Sequence, residues 1–353
     1  MESLDARHAV HSASALLVAM LALMTGVCYE QTPQTQVTVL TGTTVFFGLP
    51  HGALDFVVAE WSWRQADKGG RGGKGHTTSF PVGKFIARYA LGMGATLAVW
   101  RLCPELWLLA FLLASMAHFG EADAFAATPT GLGPIAEAAA RGGLLLLPIR
   151  WHAREVGDIF AALMGGGSAA RVTTFCGALS LLHAPVYGAV LLGHAWALVR
   201  GSSRGVGHAL TVAEMLLLPL LFHRLPPLVA FLVYFNFFHS ARHLLRLAHE
   251  AGSRPGAQHG LWRHKGKVAG LAVVCAVLLA LAAATWDRWT KAPAPAPASG
   301  GDSDSDSDEL AWAGMVLRVV FVGLSCLTTP HMLLIYATLA PRPRLDTGGV
   351  KSD

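Results

Sequence analysis

Sixteen histidines occur in this chain of 353 residues, and many of them stand inside apolar runs. His8, His11, His76, His152, His249, His259 and His264 fall near ends or in loops and call for no special account. The others lie in or beside the runs, where an ionisable side chain is costly and usually functional. Five of these share a depth: His51 is roughly fifteen residues into its run, His118 roughly thirteen, His239 and His243 roughly twelve and sixteen, and His331 roughly twenty. At ~1.5 Å of rise per residue these heights agree within about two helical turns. Unrelated core histidines would scatter, whereas one intramembrane metal site requires this convergence.

The neighbouring residues point the same way. Gly48-Leu49-Pro50-His51-Gly52-Ala53-Leu54-Asp55 puts Asp55 one turn after His51 on the same helix face. Ala117-His118-Phe119-Gly120-Glu121-Ala122-Asp123 places carboxylates just after its histidine. Phe238-His239-Ser240-Ala241-Arg242-His243 spaces two imidazoles at i and i+4, so both can reach one ion. Thr328-Thr329-Pro330-His331 sits beside a proline that interrupts a helix ladder. Neutral imidazole suits iron, zinc, copper or nickel rather than magnesium or calcium, and redox chemistry on an apolar substrate favours iron. Asp55 and Glu121 are placed to orient the imidazoles and offset the ion's charge, with direct ligation open to Asp55. His331 is open to a supporting role behind the ligands, to lining a substrate pocket, or to packing. A single histidine in a membrane helix is more often a helix-to-helix hydrogen bonder, and that reading covers His183, His194, His208 and His223.

The elements that must carry these residues are membrane spans. The chain is 53% hydrophobic and only 14% charged, against roughly 25% charged for a soluble chain. About ten candidate spans can be drawn, at 8–29, 36–60, 85–102, 105–126, 132–150, 173–199, 207–223, 227–249, 267–286 and 310–340, with eight to ten the workable range. The fold class is therefore all-α, a polytopic transmembrane helix bundle forming one integral membrane domain over 1–353. The fifth span carries Glu137, Arg141 and paired glycines and reads as interfacial or broken, and 155–172 is ambiguous. Loops 61–84 and 250–266 and the tail after 340 are basic and share one side, which places both termini in the cytoplasm. The first run follows Met-Glu-Ser-Leu-Asp-Ala-Arg, not a basic leader, and reads as a span that stays. Segment 291–309, Pro/Ala-rich and then Asp/Ser-rich, reads as a disordered linker between the last two spans. The formal charge of +5 comes from loop residues and implies no nucleic-acid partner. Five cysteines, four of them within apolar runs and none in a CxxC pair, exclude a disulfide framework.

The motifs Gly-Leu-Pro-His-Gly-Ala-Leu-Asp, His-Phe-Gly-Glu-Ala-Asp, His-Ser-Ala-Arg-His and Thr-Pro-His-Met, in this order over residues 40–340, resemble the Brp/Blh-type membrane β-carotene 15,15'-dioxygenases of bacteria and archaea. The resemblance implies cleavage of the central double bond of β-carotene by dioxygen to two all-trans-retinal molecules at Fe²⁺. It implies His51, His118, His239 and His243 as metal ligands, with Asp55, Glu121 and His331 around them. It also implies a multi-pass protein of the cell's inner membrane and points to a retinal-binding rhodopsin as downstream acceptor. Phe56 after Asp55 and the linker 291–309 depart from the pattern without touching the ligands. A membrane di-iron hydroxylase or desaturase would need about eight histidines with HxxHH pairs, absent here. A proton-coupled transporter would need a string of acids across the membrane. A rhodopsin would need a lysine at mid-span, and Lys267 lies only at a span edge.

Overall fold

The computed structural model describes residues 2–26, 35–36, 41–42, 52, 54–69, 79–125, 130–164, 169–252 and 304–339. His51, the span expected at 267–286 and most of the linker, 291–303, lie outside the described residues. Among the described residues every regular element is helical. In chain order these are α1 (Glu2–Gly26), α2 (Asp55–Gly69), α3 (Val82–Leu102), α4 (Pro104–Phe125) and α5 (Pro134–Gly142). A 3₁₀ turn over Gly143–Leu146 leads into α6 (Leu147–Trp151), α7 (Ala153–Met164), α8 (Ala170–Val199) and α9 (Gly205–Arg224). Then come α10 (Pro227–Val233), a π-helical turn (Tyr234–Ser240), α11 (Ala241–Gly252) and α12 (Asp304–Leu339).

Among the described residues, four helical stretches are long and apolar enough to cross a membrane: Ala170–Val199, Gly205–Arg224, Pro227–Leu247 and Gly314–Thr338. Ala9–Thr25 is a shorter apolar helix. The run expected at 132–150 is broken into α5, the 3₁₀ turn and α6, and the ambiguous stretch after it holds the separate helix α7. Helix α12 begins at Asp304, inside the segment read as linker.

Proline marks the starts. Pro104, Pro134 and Pro227 each open a helix, where the missing N–H costs nothing because no carbonyl precedes to receive it. Gly133 sits just before α5 at φ 93, a left-handed backbone that a Cβ disfavours.

Helix α4 is the spine of the site. It packs along α5, and the contact depends on glycine: a Cβ on Gly142 would lie 1.9 Å from the Met116 carbonyl oxygen, and one on Gly120 would lie 2.1 Å from that of Ala138. Close backbone approach through small residues is how helices associate where lipid removes the hydrophobic drive. Helix α12 runs against α3, α2 and α7, and Trp100 donates from Nε1 to Ser325 Oγ at 2.6 Å. Helix α1 lies on α9, α10, the π turn and α11. The main core gathers Trp100, Phe119, Phe160, Phe222, Tyr234 and Phe238 with aliphatic neighbours from most of these helices.

Candidate metal centre

His118 lies near the end of α4, His239 in the π turn, His243 in the first turn of α11, and His331 after Pro330 in α12. All four are buried. His118, His243 and His331 each bring a ring nitrogen to within 4.8 Å of the others. Their ring centroids are separated by 5.2 Å (His118–His331), 5.1 Å (His243–His331) and 6.0 Å (His118–His243). His239 stands alongside, with its ring 5.4 Å from that of His118 and stacked on Phe119 at 3.7 Å.

Two carboxylates back two of these rings. His331 Nδ1 lies 2.6 Å from Asp55 Oδ1, which directs its other nitrogen toward the cluster. Asp55 is itself held by the Tyr89 hydroxyl, donating to Oδ2 at 2.8 Å. The same hydroxyl is 3.0 Å from the Leu327 carbonyl, in the turn that Pro330 interrupts. His239 Nδ1 faces Asp123 Oδ1 at 3.6 Å, and Tyr234 donates to Asp123 Oδ2 at 2.8 Å. A carboxylate behind an imidazole fixes its tautomer and aims the opposite nitrogen, the usual outer support of a metal-bound histidine. Glu121, the other carboxylate singled out, is exposed and pairs with the hydroxyl of Tyr336, whose ring neighbours His118.

The donor set suits a borderline metal ion. His118 Nε2 is buried, and no hydrogen-bond partner reaches it among the described residues. Leaving such a donor or acceptor orphaned costs about 1–3 kcal/mol, and a shared metal ion removes that cost. His51 lies outside the described residues. The structure thus brings together His118, His243 and His331, with His239 beside them.

The sequence reading missed a second layer. Arg242 pairs with Glu214 through both terminal nitrogens, one of them at 2.7 Å from Oε1, and its Nη1 lies 3.8 Å from Asp123. Arg141 donates to the same Glu214 at 3.0 Å. Further along, Glu137 accepts from Thr130 at 2.7 Å and lies 3.4 Å from His194, whose Nδ1 is 3.0 Å from that of His208. All of these charged groups are buried. The signal was present, since a charge inside an apolar run is costly and seeks a partner. Which acid meets which base depends on five separate helices. Of the histidines assigned to helix contacts, His183 is 2.8 Å from the Ala140 carbonyl, and His223 meets Trp151 edge to face.

Two apolar spaces flank the cluster on opposite faces of α4. A cavity of about 120 Å³ is lined by Trp100, Ser115, Phe119, Phe231, Phe235 and Thr328 among others. A more open groove of about 690 Å³ is lined by Met116, Ala117, Leu182, Glu121 and Tyr336, and the Tyr336 ring centroid is 6.3 Å from that of His118.

The chain resembles known proteins over most of its length. The chain is 27% identical over 293 residues to the β-carotene 15,15'-dioxygenase of uncultured marine bacterium 66A03, covering 82% of this chain and 90% of that protein. It is 28% identical over 253 residues to the probable β-carotene 15,15'-dioxygenase Blh of Halobacterium salinarum (strain ATCC 700922 / JCM 11081 / NRC-1), covering 68% of this chain and 69% of that protein. No solved structure matches. The family described as beta-carotene 15,15'-dioxygenase matches residues 43–338, which take in every histidine of the cluster; the chain belongs to that family.

Proposed function

We propose that this protein is an iron-dependent dioxygenase that cleaves the central 15,15' double bond of β-carotene to two all-trans-retinal molecules. The observation that carries the reading is the meeting of three buried imidazoles from three helices, His118, His243 and His331, inside an apolar bundle. His118 and His243 also belong to the ligand set implied by the motifs. His51 and His239 complete that set, and His331, backed by Asp55, joins them as a ligand. When bound, Fe²⁺ activates dioxygen so that each carbon of the cleaved double bond receives one oxygen atom.

The protein's own residues do the rest. Asp55 holds His331 through Nδ1, which leaves its Nε2 for the cluster, and Asp123 faces Nδ1 of His239. The apolar spaces on the two sides of α4 give a polyene somewhere to lie on either side of the cluster, with Phe119 and Tyr336 next to the histidines. Their apolar linings keep bulk water from the reacting carbons. No acid or base is required to balance the reaction, because both oxygen atoms enter the products. We further propose about ten spans in a single integral domain, with residues 291–303 as linker ahead of the helix that begins at Asp304. The protein would sit in the plasma membrane with cytoplasmic termini and pass retinal to a rhodopsin.

Alanine substitutions at His51, His118, His239, His243 and His331 test the reading. Each variant, expressed in β-carotene-producing cells, is expected to lose retinal formation. Each, purified anaerobically, is expected to hold far less iron than the wild-type protein. His183→Ala and His194→Ala should retain iron. Wild-type protein containing zinc alone, or iron content unaffected by His118→Ala and His243→Ala, would overturn the proposal.

A further inference from the structure

The π-helical turn that carries His239 is a local departure from α geometry, and such turns persist only where surrounding contacts hold them, frequently at functional sites. In a regular α-helix the Ala241 N–H would donate to the Phe237 carbonyl. Here it donates to the Phe238 carbonyl instead. The Phe237 carbonyl receives another donor from outside the helix: His11 Nε2, on α1, at 2.9 Å. The bond crosses between elements 226 positions apart in sequence. It fastens the middle of the turn two residues before His239, and on the far side the Tyr234 hydroxyl is tied to Asp123.

The consequence is directional. Successive residues of an α-helix are rotated by roughly 100° about its axis. If the turn relaxed to α geometry, the residues on either side of it would rotate relative to one another by a large part of that angle. His239 and His243 could not then keep their present bearing on His118 and His331. Helix α1 precedes the 43–338 region that the family match covers, yet it packs on the π turn and on α10 and α11.

We propose that His11 is a positioning residue for the metal centre: by donating to the Phe237 carbonyl it holds the π turn in place and so sets the direction of His239 and His243. This rests on the reading of the histidine cluster as a metal site. His11 does not touch the ion or the substrate; it acts through the backbone that bears the ligands.

The test uses the full-length protein in detergent, with His11→Leu and His11→Phe to remove the donor and His11→Gln to keep an N–H that can reach the same carbonyl. Co²⁺ titration of the metal-free protein, followed by visible absorption, reads the site. Hydrogen exchange over residues 234–243 of the same metal-free protein reads the turn. Loss of the donor is expected to weaken Co²⁺ binding by ~10-fold, the scale of a lost outer support, and to speed exchange over 234–243. His11→Gln is expected to restore both. A lower melting temperature with Co²⁺ affinity and local exchange unchanged would make His11 an ordinary packing residue and overturn the proposal. Failure of the wild-type protein to take up either Fe²⁺ or Co²⁺ would count against the metal reading instead, and the exchange comparison would still decide whether His11 holds the turn.

Discussion

Asp55 shows how much one buried carboxylate can organise. It accepts from Tyr89 on one oxygen and faces His331 on the other, joining α2, α3 and α12 at the edge of the cluster. From the sequence it was legible as a partner of some histidine, because it follows His51 by one helical turn. That its described partner is His331, 276 positions away, was not legible. Asp55→Asn keeps the volume but puts an uncharged amide behind the ring. It is expected to lower Fe²⁺ affinity by ~10–100-fold while the protein still folds, measured by anaerobic Fe²⁺ titration. Unchanged affinity would show that the carboxylate does not support the site, and complete loss of iron in a folded variant would make Asp55 a ligand itself. Tyr89→Phe removes only the hydroxyl that steadies Asp55 and is expected to give a smaller decrease in the same titration.

At the scale of elements, the seam between α4 and α5 decides where His118 stands. Gly120 follows His118 by two residues and meets the Ala138 carbonyl, while Gly142 meets that of Met116. Replacing a helical glycine with alanine ordinarily helps a helix by about 0.5–1 kcal/mol. At Gly120 and Gly142 the sign is expected to reverse, because the obstructing atoms are backbone and cannot turn aside. Thermal unfolding in detergent should show a clear drop for either variant, with loss of bound iron as α4 shifts. Gly177→Ala and Gly83→Ala, where nothing lies within 4 Å of the added carbon, should unfold no earlier than the parent. Gly142, with Gly143 beside it, was visible in the sequence as a reason to read the fifth span as irregular; Gly120, within the fourth span, was not. The π turn had no such mark: Tyr234-Phe235-Asn236-Phe237-Phe238-His239-Ser240 contains neither glycine nor proline, and its hydrogen-bond register follows from contacts made by Tyr234 and Phe237 with distant helices.

At the scale of the whole molecule, Glu214 is the hub of a buried ionic cluster that joins α5, α9 and α11 and adjoins the histidine cluster through Asp123. Removing one partner of a buried pair leaves an uncompensated charge and costs about 3–5 kcal/mol. Glu214→Gln, which strands Arg141 and Arg242 together, is expected to destabilise on that scale in equilibrium unfolding. Glu105→Gln, at the exposed pair with Arg171, is expected to change stability by about 1 kcal/mol or less. Equal behaviour of the two variants would show that the cluster is not a structural hub.

The sequence by itself determined the solvent, the fold class and the chemistry. Hydrocarbon-length apolar runs force helices because an unpaired backbone polar group in lipid has no alternative partner, and histidines at matched depth on such helices are candidate metal-site residues before any fold is known. The order of the motifs was enough to identify the family to which the chain belongs. Tertiary structure alone decided the partners. It brought His331 into contact range of His118 and His243, set Asp55 behind His331 and Asp123 behind His239, and assembled Arg141, Arg242 and Glu214 into one cluster. The physical reason is that depth along a helix is fixed by rise per residue, which sequence counts directly. The rotation of each helix about its axis and the choice of its neighbours are fixed by packing between segments far apart in the chain, down to a glycine seam and a π turn that sequence spacing does not encode.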